Sequence, residues 1–174
     1  GLPLDSTKTV RFTAATQSGP GTFPAMGAGL AEVQYGATSV ADVDGDGDLD
    51  VLVAGENTGG SWETTLYKQQ SDGSFDAAGA GLTGVIEAST SIADVDGDGD
   101  LDLLVAGLAD GGTPTTTLYE QQSNGSFEAA GAGLAGVSSA STSIADVDGD
   151  GDLDILVAGS DGSFPITTLY EQQS

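Results

Sequence analysis

The stretch Ala93-Asp-Val-Asp-Gly-Asp-Gly-Asp-Leu-Asp-Leu-Leu-Val-Ala-Gly107 decides how this chain is read, because it occurs three times. Its other copies are Ala41–Gly55 and Ala145–Gly159, and the three differ only at Val51, Leu103 and Ile155. The nine-residue cores, Asp42–Asp50, Asp94–Asp102 and Asp146–Asp154, recur at a spacing of 52 residues. Other landmarks keep step: Phe23, Phe75 and Phe127, and likewise Leu30, Leu82 and Leu134, share the 52-residue interval. Tyr67, Tyr119 and Tyr170 follow it until one residue is lost in the last connecting loop. A period of this length indicates a repeat architecture.

Each unit reads as β structure. Ser91-Ile92-Ala93 leads into the acidic loop, and Leu101–Ala106 follows as a short apolar run buried on both faces. A variable Gly-rich turn precedes Thr116–Gln122, and Ser123-Asn124-Gly125-Ser126 is a turn signal. Phe127 to about Val137 is expected to be a looser fourth strand. Four short strands in ~50 residues is the size of one propeller blade. The fold class is therefore all-β and propeller-like, with three four-stranded blades. The chain opens with a fourth-strand segment, Phe23 to about Val33, and closes on a third strand, Thr167–Gln173. Pairing those ends gives three complete blades. Propellers usually have four to eight, so the ring is expected to be completed by oligomerisation or as part of a longer array. Residues 1–22 fit the repeat poorly and read as an N-terminal extension, with Thr9–Thr13 an extra strand; residues 23–174 hold the blades.

Within a loop, acids stand at positions 1, 3, 5, 7 and 9. The candidate metal residues are Asp42, Asp44, Asp46, Asp48 and Asp50; Asp94, Asp96, Asp98, Asp100 and Asp102; and Asp146, Asp148, Asp150, Asp152 and Asp154. Gly47, at position 6, suits a sharp bend. Position 7 is expected to offer its backbone carbonyl while its side chain points to solvent. Ca²⁺ takes six to eight oxygens at ~2.3–2.6 Å, and alternating acids in a tight turn converge on one point. The EF-hand pattern fails, because its bidentate Glu at position 12 is replaced by Val53, Val105 and Val157. Mg²⁺ prefers fewer carboxylates and more water. The chain has no His and no Cys, so zinc lacks its usual ligands and disulfides are excluded. Three calcium ions per chain are expected.

Charge points the same way. The 27 acids against three bases give a net charge of −24, and 15 of those acids lie in the three loops. Such clustered repulsion opposes compaction unless cations neutralise it. Nucleic acid and membrane insertion are poor prospects. Aromatics are only 6% of residues, so the core must be built from small aliphatic side chains.

The stretch ADVDGDGDLDxLVAG resembles the calcium loop of FG-GAP/VCBS repeats, the blades of integrin α-chain propellers and of many secreted proteins. The family's pattern, D-x-D-x-D-G-x-x-D between strands one and two, is met in all three loops, and the resemblance covers roughly residues 23–174. The Phe-Gly and Gly-Ala-Pro signatures are not intact. Gly73–Phe75 and Gly125–Phe127 (Gly-Ser-Phe) are similar to a turn of bacterial members. The resemblance implies an extracellular or cell-surface, calcium-stabilised module for structural assembly, adhesion or protein interaction. Two alternatives stand beside it, a calcium-dependent lectin like some fungal propellers, and a non-catalytic accessory module of a larger secreted protein. Ca²⁺ at sub-micromolar cytosolic levels would leave sites of Kd ~10⁻⁴–10⁻³ M empty.

Loops between strands two and three vary: Glu56–Trp62, Leu108–Pro114 and Ser160–Pro165. Trp62 and Phe164 there are candidates for contact with a glycan or an extracellular protein. The Leu66/Tyr67, Leu118/Tyr119 and Leu169/Tyr170 pairs read as inter-blade packing. Gln69/Gln70, Gln121/Gln122 and Gln172/Gln173 suggest a polar ring without an evident purpose. An enzyme is not expected: Ser and Thr lack a visible base, and Glu63, Glu87 and Asp110 form no catalytic motif.

Overall fold

The structure, a computed structural model, describes residues 24–173. The proposed extension at 1–22, its Thr9–Thr13 strand and Phe23 lie outside those residues. Among the described residues eleven strands form three antiparallel sheets. Blade 1 is β1 (Val33–Ala41), β2 (Asp50–Asn57), β3 (Trp62–Gln69) and β4 (Phe75–Ala77). Blade 2 is β5 (Val85–Ala93), β6 (Asp102–Ala109), β7 (Thr113–Gln121) and β8 (Phe127–Ala129). Blade 3 is β9 (Ser138–Ala145), β10 (Asp154–Ser160) and β11 (Pro165–Tyr170). Strands are ordered as they occur in the chain, the meander of a propeller blade, and no sheet closes on itself. Among the described residues no helix is long and apolar enough to cross a membrane.

The apolar run of β6 becomes a second strand because blade 2 is covered on both faces. In β6, alternate side chains face opposite neighbours. Leu103 and Val105 join Val43, Leu52 and Leu66 of blade 1 in one core, whereas Leu104 and Ala106 join Val137, Ile155 and Val157 of blade 3 in another. The Leu-Tyr pairs obey the same rule: Leu118 faces blade 3 and Tyr119 faces blade 1. Each repeated tyrosine has a further task. Its hydroxyl accepts from the backbone of the incoming connection, Ala31 N to Tyr67 at 3.2 Å, Thr83 N to Tyr119 at 3.0 Å and Ala135 N to Tyr170 at 2.8 Å. Leu104→Ala removes a fully buried side chain between two rigid sheets and is expected to cost about 2–5 kcal/mol in urea unfolding.

First strands are polar and stack on one another. Ser39 Oγ meets Thr90 Oγ1 at 2.8 Å, and Ser91 Oγ meets Thr142 Oγ1 at 3.1 Å. Each begins with a bulge, and the bulged residues Tyr35, Glu87 and Ser139 have φ of 52°, 49° and 47°. Opposite the bulge, Gly107 has φ 157°, and a Cβ there would come within 2.6 Å of the Ile86 carbonyl oxygen. Only glycine lets the two backbones approach this closely.

Two expectations need correction. The fourth strand is three residues long, not the stretch from Phe127 to about Val137. After Ala129 the chain leaves the sheet because Gly131 and Gly133 take positive φ, and Val137 then bridges back to Thr115 of blade 2. Residues 24–32 likewise form no strand, so among the described residues blade 3 has three strands and the two ends form no ladder. The Ala/Gly-rich sequence has too few β-branched side chains to hold a ladder.

Candidate metal centres

Each acidic loop joins the first strand of a blade to the second, so all three stand at the same end of their blades. The bend at Gly47 has φ 95°, and Gly99 and Gly151 repeat it at 97° and 103°. Their amides turn inward and donate to the first aspartate, at 3.0 Å to Asp42, 3.1 Å to Asp94 and 3.2 Å to Asp146. The loop thereby curls around its own carboxylates.

Three of the five acids in each loop converge. Asp42, Asp44 and Asp50 bring one oxygen each within 4.8 Å of one another, as do Asp94, Asp96 and Asp102, and Asp146, Asp148 and Asp154. Oxygens on opposite sides of a calcium ion lie roughly 5 Å apart, so the spacing fits one ion. The donor set is all carboxylate, which suits a hard cation. Oδ1 of Asp42 and of Asp94 is buried without a hydrogen-bond partner. A buried carboxylate oxygen needs one, and a bound cation supplies it. Positions 5 and 7 lie outside the triad. Asp46, Asp98 and Asp150 each accept from the loop's own backbone, the amides of Asp48, Asp100 and Asp152, at 2.9 Å.

Position 9 does more than the sequence reading assigned to it. Asp102 is buried, and its two oxygens accept from Val95 N at 2.9 Å and Gln121 N at 3.0 Å. Asp50 holds Val43 N and Gln69 N in the same way, and Asp154 holds Val147 N and Gln172 N. This carboxylate therefore pins the start of the loop to the end of strand three. Burial pushes the Asp102 carboxyl above the ordinary carboxylate range. The two amides oppose that shift, and Asp96 and Asp98 add to it. A divalent ion reverses this balance by favouring the charged form.

The glutamine repeat now has a physical account. With its amide nitrogen turned to its acceptors, Gln121 donates to Leu101 O of its own loop at 3.0 Å and to Val43 O of the preceding loop at 3.2 Å. It ties neighbouring acidic loops together. The second glutamine of the pair belongs to a turn: Gln70 N donates to Ser74 O, and Gln122 N to Ser126 O.

The residue after the repeated tyrosine was missed by the sequence reading, although aligning the units exposes it as Lys68, Glu120 and Glu171. Lys68 Nζ lies 3.2 Å from Asp44 Oδ2, inside the first triad's surroundings. Glu120 stands at the second loop, and its carboxyl is pushed up by burial and by Asp96, Asp102 and Asp98. The first loop thus holds a built-in competitor for any cation, and the second an extra carboxylate. Lys68→Glu is expected to tighten divalent-cation binding at the first candidate loop about tenfold, or ~1.4 kcal/mol, in calorimetric titration. Trp62 and Phe164 are not brought together. Trp62 is half-buried at the start of β3, and Phe164 is 71% exposed in the turn before β11, two blades away.

Three meandering sheets, each opening on a loop of converging carboxylates, define a β-propeller-type repeat module with candidate metal loops. Residues 42–105 and 94–157 each match the family described as FG-GAP-like repeat, and together they span more than half of the chain. The chain belongs to the FG-GAP-like repeat family. Comparison with curated proteins and with solved structures finds no match.

Proposed function

We propose that this chain is a calcium-stabilised propeller module of an extracellular or cell-surface protein, serving assembly, adhesion or protein interaction rather than catalysis. One observation carries the metal reading, the three carboxylate triads of matching geometry at one end of the blades. Calcium is favoured over magnesium by the density of carboxylates and over zinc by the lack of His and Cys. The typical affinity of extracellular calcium modules, Kd ~10⁻⁴–10⁻³ M, supports an extracellular location, since such sites fill at millimolar calcium and empty at cytosolic levels. The family supports the module reading, and the acidic surface suits partners that meet it through cations or basic groups. In each loop Asp42, Asp44 and Asp50, or their counterparts, would hold the ion. Bound there, it supplies a fixed positive charge that locks the strand-one to strand-two corner. Native mass spectrometry in calcium is expected to show three ions per chain. Binding of none, with the fold intact, would remove the proposal.

A further inference from the structure

The interface between neighbouring blades occurs twice inside this chain, and among the described residues each of its two halves is also left open, wholly or in part, at one end of the stack. Blade 1 offers Val43, Leu52 and Leu66 to blade 2, and blade 2 offers Val95, Leu104 and Leu118 to blade 3. The same positions in blade 3 are Val147, Leu156 and Leu169, which are 59%, 38% and 40% exposed. The receiving half behaves alike. Ile92 and Ile144 pack on the preceding blade, whereas their counterpart in blade 1, Val40, is 57% exposed; Val53, lower on the same face, stays buried at 3%, so this half is open at its Val40 end. We propose that the uncovered face of blade 3 docks on the uncovered face of blade 1 of a second copy of this chain, and that two such contacts close a ring of six blades. The inference rests on the propeller reading above and names its partner.

Polar groups at the junction match as well as the apolar ones. Ser91 of blade 2 meets Thr142 of blade 3. The corresponding residues, Ser143 of one copy and Thr38 of the other, continue that ladder. Gln121 reaches back to Val43 O of the preceding loop, and Gln69 is placed to do the same to Val147 O of the second copy.

Charge favours the junction over the contact between blades 2 and 3. Between blades 2 and 3, one cleft brings Asp96 and Glu120 face to face with Glu171. At the closing contact the counterparts are Asp148 and Glu171 on one side and Lys68 on the other, so opposite charges replace like ones. A head-to-tail contact forms a ring when its rotation closes. Two copies give six blades, within the four to eight that propellers use, whereas three would give nine.

Native mass spectrometry of the full chain in calcium tests this, with sedimentation as the solution check. The expected species has twice the 17.1 kDa chain mass. Leu156→Glu alters a side chain already exposed in the single chain, so it should give a monomer with an unchanged circular dichroism spectrum and three calcium ions. Lys68→Glu should weaken the dimer while keeping its calcium. A wild-type monomer, a ladder of sizes growing with concentration, or a dimer indifferent to Leu156→Glu each overturn the proposal. Calcium-loaded monomer would defeat the ring and spare the metal reading; a metal-free dimer would do the reverse.

Discussion

Removing calcium is expected to lower the melting temperature by roughly 15–30 °C. The size follows from binding linkage. At a free calcium concentration ~100 times Kd, one site adds about 2.7 kcal/mol to the folded state, so three independent sites add about 8. In a chain of this size each kcal/mol moves the midpoint by roughly 2–4 °C. The direction follows from the loops themselves. Without an ion, each holds three carboxylates whose oxygens lie within 4.8 Å of one another, and two of the loops bury an oxygen that has no partner. Among the described residues, Lys68 at the first loop is the one cationic side chain that offsets that repulsion, beside the backbone amides each loop turns inward. Calorimetric scans in excess calcium and in chelator measure the shift, and high sodium chloride should not restore what the chelator removes. A shift of only a degree or two would mean that the clustered acids are tolerated by solvent alone, and the calcium reading would fail.

The second large effect is expected from Asp102→Ala. Asp102 is buried in the central blade and accepts from Val95 N and Gln121 N. Its loss leaves two donors unsatisfied in a closed site, at about 1–3 kcal/mol each. Unlike the effect of chelation, this penalty persists in metal-free protein, because the hydrogen bonds form without an ion. In calcium the substitution should also remove one ion from the native mass spectrum. Asp100→Ala is the control. That side chain lies outside the converging triad, and its removal should change stability by no more than about 0.5 kcal/mol. Equal losses at Asp100 and Asp102 in urea titrations would show that net acidity matters and that the geometry of position 9 does not.

Much of this is visible in the residues alone. The 52-residue period counts the blades, the spacing of the aspartates marks the loops, and the run from Leu101 to Ala106 announces a strand covered on both faces. These are local signals: a loop of nine residues carries its own carboxylates and its own bend at Gly99. The division of labour among the acids is different. Asp98 and Asp102 look alike in sequence, yet one caps its own loop and the other pins strand three, and that depends on a partner 19 residues away, Gln121 N. The roles of Gln121 and Lys68 depend on which loop lies beside them, across blades or across strands. The short fourth strand is also a tertiary outcome, since the Ala/Gly stretch after Ala129 crosses to the next blade rather than pairing in its own sheet. The strand pattern and the acidic loops are thus legible in the residues, because each lies within a span shorter than one blade, and their recurrence every 52 residues reveals the repeat. The tertiary structure alone decided which carboxylates meet, which glutamine joins two loops and which apolar faces stay open, because those follow from packing one blade against the next.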